Sequence, residues 1–287
     1  MPTFTLETEH GQIHITDTGL QNSNPALLLI HGNTSSSTVF RHITGSPVLS
    51  TTHRIIAFDL PGHGSSSNAP DPQKSYWMRG YADLAVHILA HLRVTRVVVF
   101  GWSLGGHVGI EMVPLLAGRA PPITLAGLML TGSPPVLGKA QIARGFRGAD
   151  DGGLGLAGKE VWSPQEQELF ARHSAAAGKP ELYEPWVLKD AQRTDGRARV
   201  LMTTAFAEGR GVDQRAVVEG EKGVRVAVVN GADEPFVDLD YLDGLAWGRL
   251  WGGKCIRIEG CGHAPFWEKP EEFEGILVRF LGDCAGD

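Results

Sequence analysis

The chain has 287 residues, a length that predicts one large α/β domain with an insertion, or two smaller domains. With 42% hydrophobic and 20% charged residues it has the composition of an ordinary globular protein, which excludes disorder, collagen and coiled coil. A net charge of -6 and the lack of a long basic run argue against nucleic acid as a partner.

No apolar stretch is long enough to cross a bilayer, and the segment Met1–Gly19 is polar. We therefore expect no membrane partner, no export signal and a cytoplasmic location. The cysteines Cys255, Cys261 and Cys284 lack C-x-x-C spacing, so neither a disulfide framework nor a zinc site is expected. No motif calls for another metal or a cofactor.

The first half of the chain alternates strand and helix patterns. Thr3–Thr16 splits at a glycine turn and predicts an antiparallel hairpin at the edge of a sheet. Four short apolar runs without period-two alternation follow, at Ala26–Ile30, Arg54–Phe58, Arg96–Phe100 and Leu125–Leu130. Strands that are apolar on both faces are typical of a parallel sheet covered by helices. Helical spacing over Tyr76–Leu92 and Leu104–Leu116 supplies two such helices.

The pattern changes between residues 138 and 214, where strand signals vanish. Helix starts multiply there, as at Ser163-Pro164-Gln165-Glu166, which combines a capping residue, Pro and a reciprocal Glu. Strand patterns resume at Arg225–Val229 and Cys255–Ile258, and Pro270–Phe280 predicts a closing helix. We therefore predict an α/β core of residues 1–137 and 215–287, with residues 138–214 as an inserted helical cap.

One strand leads directly into a glycine-flanked serine. The run Val97–Phe100 enters Gly101-Trp102-Ser103-Leu104-Gly105 and then the second predicted helix. A strand that turns sharply into a helix, with serine at the apex, leaves no room for Cβ atoms at the flanking positions, which explains the glycines. The pattern predicts Ser103 as a nucleophile.

A serine hydroxyl is a weak nucleophile at neutral pH and needs a histidine base, which in turn needs an orienting acid. Of eleven histidines, His263 is the best candidate, because it lies in a glycine loop between a predicted strand and the last helix. His87 and His91 are four apart on a predicted helix without a Glu-flanked metal motif, so we expect an ordinary helix face.

The acid is expected at the end of a strand that lies between Ser103 and His263 in sequence, the order that accompanies this kind of turn. The predicted strand Arg225–Val229 is followed by two adjacent carboxylates, Asp233 and Glu234. Only one can face the imidazole, and spacing alone leaves both open.

The mechanism also needs two fixed donors for the negative charge that develops on the attacked oxygen, each worth about 3 kcal/mol in the barrier. The backbone N–H groups of Leu104, at a helix start, and Asn33, directly after a buried strand, are the predicted pair. His31 and Trp102 lie beside these positions and are candidates for supporting contacts, together with whichever of the two acids does not face the histidine.

Four motifs occur in an order that resembles the α/β-hydrolase superfamily: His31-Gly32-Asn33, Asp59-Leu60-Pro61-Gly62-His63-Gly64, Gly101–Gly106 and Gly262-His263. Four longer segments, Val99–His107, Arg193–Arg199, Asn230–Phe236 and Gly262–Phe266, are similar to the metal-independent N-acyl-homoserine lactonases of that fold. The second of these segments lies within the predicted cap.

The resemblance implies an α/β-hydrolase fold, with a mostly parallel sheet, helices on both faces and an inserted helical cap. It also implies a Ser–His–Glu triad, carried here by Ser103, His263 and Glu234, with Asp233 as the runner-up acid. The implied activity is cofactor-independent opening of N-acyl-homoserine lactones, which is quorum quenching, with a small acyl lactone as the partner molecule.

Two alternatives stay open at this point. A general carboxylesterase would use the same triad and oxyanion donors, and only the pocket separates it from a lactonase. A lactone-binding receptor with slow turnover is the other, since some proteins of this scaffold bind rather than catalyse.

Overall fold

The structure is a computed structural model that describes residues 1–148, 153–174, 179 and 182–286. Its centre is an eight-stranded sheet. The strands are β1 Thr3–Thr8, β2 Gly11–Asp17, β3 Ala26–Ile30, β4 Ile55–Phe58, β5 Arg96–Trp102, β6 Thr124–Thr131, β7 Arg225–Gly231 and β8 Ile256–Ile258.

The strand order is β1-β2-β4-β3-β5-β6-β7-β8. β1 and β2 form the predicted antiparallel hairpin, and β2 also pairs antiparallel with β4. Every later pairing along this order is parallel. The mostly parallel sheet of the α/β-hydrolase fold is thereby confirmed.

Helices connect the strands and fill both faces of the sheet. They are α1 Arg41–Thr44, α2 Pro47–Thr52, α3 Pro72–Ser75, α4 Met78–His91, α5 Leu104–Ala117, α6 Gly138–Gly145, α7 Gly153–Leu156, α8 Pro164–Ser174, α9 Pro185–Arg193, α10 Gly196–Ala207, α11 Gln214–Gly220, α12 Leu239–Asp243, α13 Pro265–Glu268 and α14 Pro270–Ala285. Single 3-10 turns occupy Ser37–Phe40 and Trp251–Gly253.

Alternation along each strand creates two separate cores. In β3, Leu28 and Ile30 pack with the helices α4 and α5 on one face, while Leu27 and Leu29 pack with α14 on the other. Both sets are fully buried, because successive side chains of a strand point to opposite faces and both faces are covered. This is why the strand sequence is continuously apolar.

The closing helix α14 runs five residues beyond the predicted end at Phe280, to Ala285, because Leu281 and Cys284 continue its buried face. α4 begins at Met78 rather than at the predicted Tyr76, since Trp77 has extended backbone angles. The predicted capping box of α8 is formed: the Ser163 N–H donates to Glu166 at 2.8 Å.

In the described part of the chain between β6 and β7 the regular elements are helices joined by loops, with α6 to α10 inside the predicted cap. Residues 149–152, 175–178 and 180–181 of that segment lie outside the described residues. α11 begins at Gln214, the last residue of the predicted cap, and contacts α5. None of the described helices is long and apolar enough to cross a membrane.

The parallel register brings several loops to one edge of the sheet. Ile30 pairs with Gly101, Trp102 with Thr131, and the end of β7 with the end of β8. The segments that follow these strands carry the predicted site residues, so they meet at the carboxyl edge of the sheet, where such folds place ligands.

Candidate active site

Ser103 occupies a strained turn between β5 and α5. Its φ is 53° and its ψ is -119°, a left-handed conformation that costs a residue with a side chain about 1–3 kcal/mol. The turn is held from both sides: the Ser103 N–H donates to Thr131 O at 2.8 Å, and Ser133 Oγ donates to Ser103 O at 2.7 Å. Ser103 lines a cavity at this turn.

The two glycines of the motif are required by close backbone contacts, as predicted from the sequence. A Cβ atom added at Gly105 would overlap the carbonyl oxygen of Ile30 in β3, and one added at Gly101 would overlap the carbonyl of Gly105. Substitution at either position would push the helix away from the strand that supports Ser103.

The His263 imidazole lies against Glu234. The distances from His263 Nδ1 to Glu234 Oε1 and Oε2 are 2.9 and 2.8 Å. The Glu234 side chain is fully buried, and Oε1 also accepts the Phe236 N–H at 2.9 Å. Asp233, the other candidate acid, is exposed, and its contact is a backbone one, from its N–H to Cys261 O. The structure therefore places Glu234, and not Asp233, at the imidazole.

The ring and backbone of His263 are held by neighbours from three elements. Trp102 Nε1 donates to His263 O at 2.9 Å, so the residue before Ser103 ties the two loops together. Phe236 packs edge-on against the imidazole, with 5.0 Å between ring centroids. Gly132, with a φ of +65°, forms the floor beneath the ring: a Cβ atom there would lie 2.5 Å from His263 Cε1.

Within the part of the chain that the structure describes, no hydrogen bond joins the Ser103 hydroxyl to His263. His263 is linked to the turn at Ser103 by the hydrogen bond from Trp102 Nε1 and by its contact with Gly132, which follows the Thr131 acceptor of the Ser103 N–H. Hydrogen bonds of this kind often become short only when substrate is bound.

Of the predicted oxyanion donors, Leu104 is the first residue of α5 and Asn33 lies in the loop after β3. Among the described residues, neither the Leu104 N–H nor the Asn33 N–H has a hydrogen-bond acceptor. The Asn33 side chain donates from Nδ2 to Ala157 O at 2.9 Å, which connects its loop to the cap. Asp59 supports the same loop by accepting the N–H groups of Ser37 and Ser65, each at 2.7 Å.

His31, predicted as a supporting residue, joins two loops behind the site. Its Nδ1 donates to Gly32 O at 2.8 Å, and its Nε2 accepts the Leu60 N–H at 2.9 Å. Burial lowers the pKa of His31 and lowers that of the adjacent His63 to about 3, so both rings are neutral. His31 is fully buried and holds the β3 and β4 loops in register.

Glu268 is a supporting residue that the sequence analysis missed. Its buried carboxylate accepts the N–H groups of Gly262 at 2.9 Å and Ala264 at 3.2 Å, which flank His263. Lys179 of the cap pairs with the same carboxylate at 3.0 Å. No local motif marks Glu268, because its partners are backbone groups in the preceding loop.

A cavity of about 290 Å³ lies between core and cap beside Ser103. It is mostly apolar, with a few polar side chains. Its described lining comprises Asn33, Met78, Ser103, Leu104 and His107 from the core, and Ile142, Phe146, Ala157, Met202, Thr203, Phe206 and Ala207 from the cap. A cavity with such a lining favours apolar groups over highly charged ones.

The segment around Asp195, within the predicted cap, docks onto the loop after β4. The Asp195 N–H donates to Gly62 O at 2.8 Å, and Tyr76 Oη donates to Asp195 Oδ2 at 2.9 Å. Arg193 donates to Asn68 Oδ1 at 3.0 Å. Two motifs far apart in sequence are therefore parts of one contact between cap and core.

In the described ranges there is no group of three or more His, Cys, Asp or Glu side chains arranged to hold a metal ion. His87 and His91 both lie on α4 and are exposed, as expected for an ordinary helix face.

Comparison with known proteins covers nearly the whole chain. The model of the alpha/beta hydrolase family matches residues 27–276. The structure of the N-acyl homoserine lactonase AidH in complex with N-butanoyl homoserine is similar, with a TM-score of 0.89 and 43% identity over 99% of this chain and 97% of that chain. An uncharacterized protein of Mycobacterium bovis is 32% identical over 98% of this chain and 81% of its own length. The pimeloyl-[acyl-carrier protein] methyl ester esterase of Aromatoleum aromaticum is 28% identical over 87% of this chain and 95% of its own length.

Proposed function

The chain belongs to the alpha/beta hydrolase family, and from this premise we propose that it is a serine-dependent hydrolase that opens the lactone ring of N-acyl-homoserine lactones. The observation that carries the proposal is the likeness to AidH, at 43% identity and a TM-score of 0.89 over both core and cap. The cavity beside Ser103, with an apolar lining, supports it.

In the proposed reaction Ser103 Oγ attacks the ring carbonyl carbon while His263 Nε2 takes the hydroxyl proton. Glu234 accepts the hydrogen bond from His263 Nδ1, which keeps Nε2 available as the base and stabilises the imidazolium. The Leu104 and Asn33 N–H groups stabilise the oxyanion. The bond between the carbonyl carbon and the ring oxygen then breaks, and His263 returns the proton to that oxygen.

The leaving alcohol stays attached to the acyl-enzyme, because it was part of the ring. A tethered nucleophile has a high effective concentration, so reclosure competes with hydrolysis. Water must therefore reach the ester while the freed hydroxyl is turned away from His263. The water oxygen bonds to the carbonyl carbon, the bond to Ser103 Oγ breaks, and the product is an N-acyl-homoserine.

We also propose that residues 138–214 form the cap that closes the cavity over the acyl chain. The cap supplies Ile142, Phe146, Met202 and Phe206 to the apolar lining, and it is tied to the site by Asn33. Exclusion of bulk water from the cavity would favour binding of the acyl chain and strengthen the hydrogen bonds of the site.

The test is mass spectrometry of the products from a panel of N-acyl-homoserine lactones, run for wild type, Ser103→Ala and the exposed control Ser65→Ala. Ring-opened product with wild type and the control, and none with Ser103→Ala, is expected. In oxygen-18 water the label should enter only the new carboxylate. Cleavage of the amide, or label in the alcohol, would contradict acyl-enzyme hydrolysis of the ring.

A general carboxylesterase is the second candidate, favoured by the relative that is a methyl ester esterase. It would use the same Ser103, His263 and Glu234. Turnover of N-hexanoyl homoserine lactone is compared with that of methyl hexanoate and methyl butanoate. A kcat/KM at least ten times higher for the lactone is expected, and a preference for the linear esters would favour the carboxylesterase.

A further inference from the structure

His107 lies in the same cavity as Ser103, four residues further along the chain, and has no part in the reaction described so far. Ser103 directly precedes α5, and His107 lies in the first turn of that helix. The His107 ring packs against Phe206, with 4.9 Å between centroids, and against Phe146 at 6.1 Å. These contacts hold the imidazole at the wall of the cavity.

The orientation and tautomer of His107 are set by Gln214. His107 Nδ1 lies 2.7 Å from Gln214 Oε1, and an amide oxygen can only accept, so Nδ1 carries the proton. Gln214 is itself fully buried, and its Nε2 donates to Met78 Sδ at 3.6 Å, which orients the amide. Burial lowers the pKa of His107 to about 4, so the ring is neutral and Nε2 presents a lone pair.

The other polar side chains of the described lining are already engaged. Asn33 Nδ2 donates to Ala157 O, and Thr203 Oγ1 donates to Arg199 O. Ser103 is the proposed nucleophile. Among the described residues, His107 Nε2 has no hydrogen-bond partner, which makes it an oriented acceptor without a donor inside an apolar cavity.

We propose that His107 Nε2 accepts a hydrogen bond from the amide N–H of the bound lactone, with Gln214 as the positioning residue. This inference rests on the proposed function. In an N-acyl-homoserine lactone a single carbon atom separates the amide nitrogen from the ring carbonyl carbon that Ser103 attacks. An acceptor in the wall of the cavity that also contains the nucleophile is therefore well placed to select lactones that carry an N–H at this position.

An acceptor of this kind rejects a substrate that lacks the donor, since the buried nitrogen then loses its partner. We expect wild type to favour N-hexanoyl homoserine lactone over the lactone with CH₂ in place of N–H by about 10- to 100-fold in kcat/KM. His107→Leu removes the acceptor and keeps an apolar wall. In this variant the ratio of the two kcat/KM values should fall to about 1, mainly because kcat/KM for the amide substrate decreases.

Gln214 provides the second pair of variants. Gln214→Leu removes the partner of Nδ1 and should lower the preference several-fold, whereas Gln214→Glu keeps an acceptor oxygen there and should retain most of it. A purely structural role would lower kcat/KM equally for both lactones. An unchanged preference in His107→Leu, or an equal loss for both lactones, would overturn the inference.

Failure of the proposed function gives a different result. If wild type opens neither lactone, the proposed ring-opening reaction is wrong. The role of His107 is then tested by calorimetry, which measures binding of the same two lactones to Ser103→Ala and to the double variant Ser103→Ala with His107→Leu. Tighter binding of the amide lactone that depends on His107 supports the inference. Equal or undetectable binding of both lactones overturns it.

Discussion

Both carboxylate oxygens of Glu234 lie within 2.9 Å of His263 Nδ1, although 29 residues separate the two in sequence. The neighbouring carboxylate of Asp233 is exposed. The Glu234 side chain is fully buried, and its Oε1 also accepts the Phe236 N–H at 2.9 Å. The orientation of the proposed base therefore depends on a single buried carboxylate.

Glu234→Gln should lower kcat by about 10³- to 10⁴-fold with little change in KM. The amide group can donate toward Nδ1 and stabilise the wrong tautomer, which removes the base from Nε2. Asp233→Asn is the matched control and should stay within about two-fold of wild type, because its side chain is exposed. Steady-state kinetics on a homoserine lactone measure both. A large loss in the control variant instead would assign the acid to Asp233.

Gly132→Ala should displace His263 and lower kcat by about 100-fold, because the new methyl group would lie 2.5 Å from Cε1. Gly19→Ala is the control for backbone strain: its φ of +68° is close to the +65° of Gly132, and nothing lies within 4 Å of the added Cβ. Both variants should lose about 1–2 kcal/mol of unfolding free energy. Equal activity of the two would show that Gly132 does not position the imidazole.

Glu268→Gln should weaken the hydrogen bonds to the loop that carries His263 and the ion pair with Lys179. The expected cost is about 2 kcal/mol in unfolding free energy, together with a lower kcat at temperatures where the variant is folded. Glu271→Gln, an exposed change nearby on α14, should change neither quantity. Denaturant titration and kinetics at low temperature separate the two effects. Wild-type kcat in Glu268→Gln would contradict a positioning role.

Asp190 predicts a pH dependence of stability. Burial raises the pKa of this carboxyl from 3.8 to about 6, opposed by the hydrogen bond from Ser36 and reinforced by Asp59. The folded state favours the protonated form of Asp190. The stability gained from this preference is therefore complete below pH 4 and is lost as the pH rises through 6. The shift corresponds to at most about 3 kcal/mol.

Asp190→Asn should therefore be more stable than wild type at pH 8 and similar to it at pH 4, measured as Tm or by urea titration. Glu184→Gln is the contrast, because the hydrogen bonds from Arg41 lower the pKa of Glu184. Glu184→Gln should therefore be less stable than wild type at neutral pH, the opposite of Asp190→Asn. This difference should disappear as the pH falls below the pKa of Glu184. If the stability of Asp190→Asn and that of wild type changed with pH in the same way, the raised pKa of Asp190 would be contradicted.

Sequence patterns predicted the strands and the long helices α4, α5 and α14, because buried parallel strands are apolar on both faces and covering helices repeat every 3.6 residues. β3 has the predicted bounds, Ala26–Ile30, and the turn at Ser103 was predicted from the glycines that stand two positions before and after it. These are properties of short segments, so they can be read without knowing what lies nearby.

The tertiary structure decided the contacts between segments. Spacing could not choose between Asp233 and Glu234, and nothing local marked Glu268 or the contact of Gln214 with His107. Each of these depends on the order of strands in the sheet and on where the cap meets the core. Hydrogen bonds act over about 3 Å, so partners distant in sequence are recognisable only after folding has brought them together.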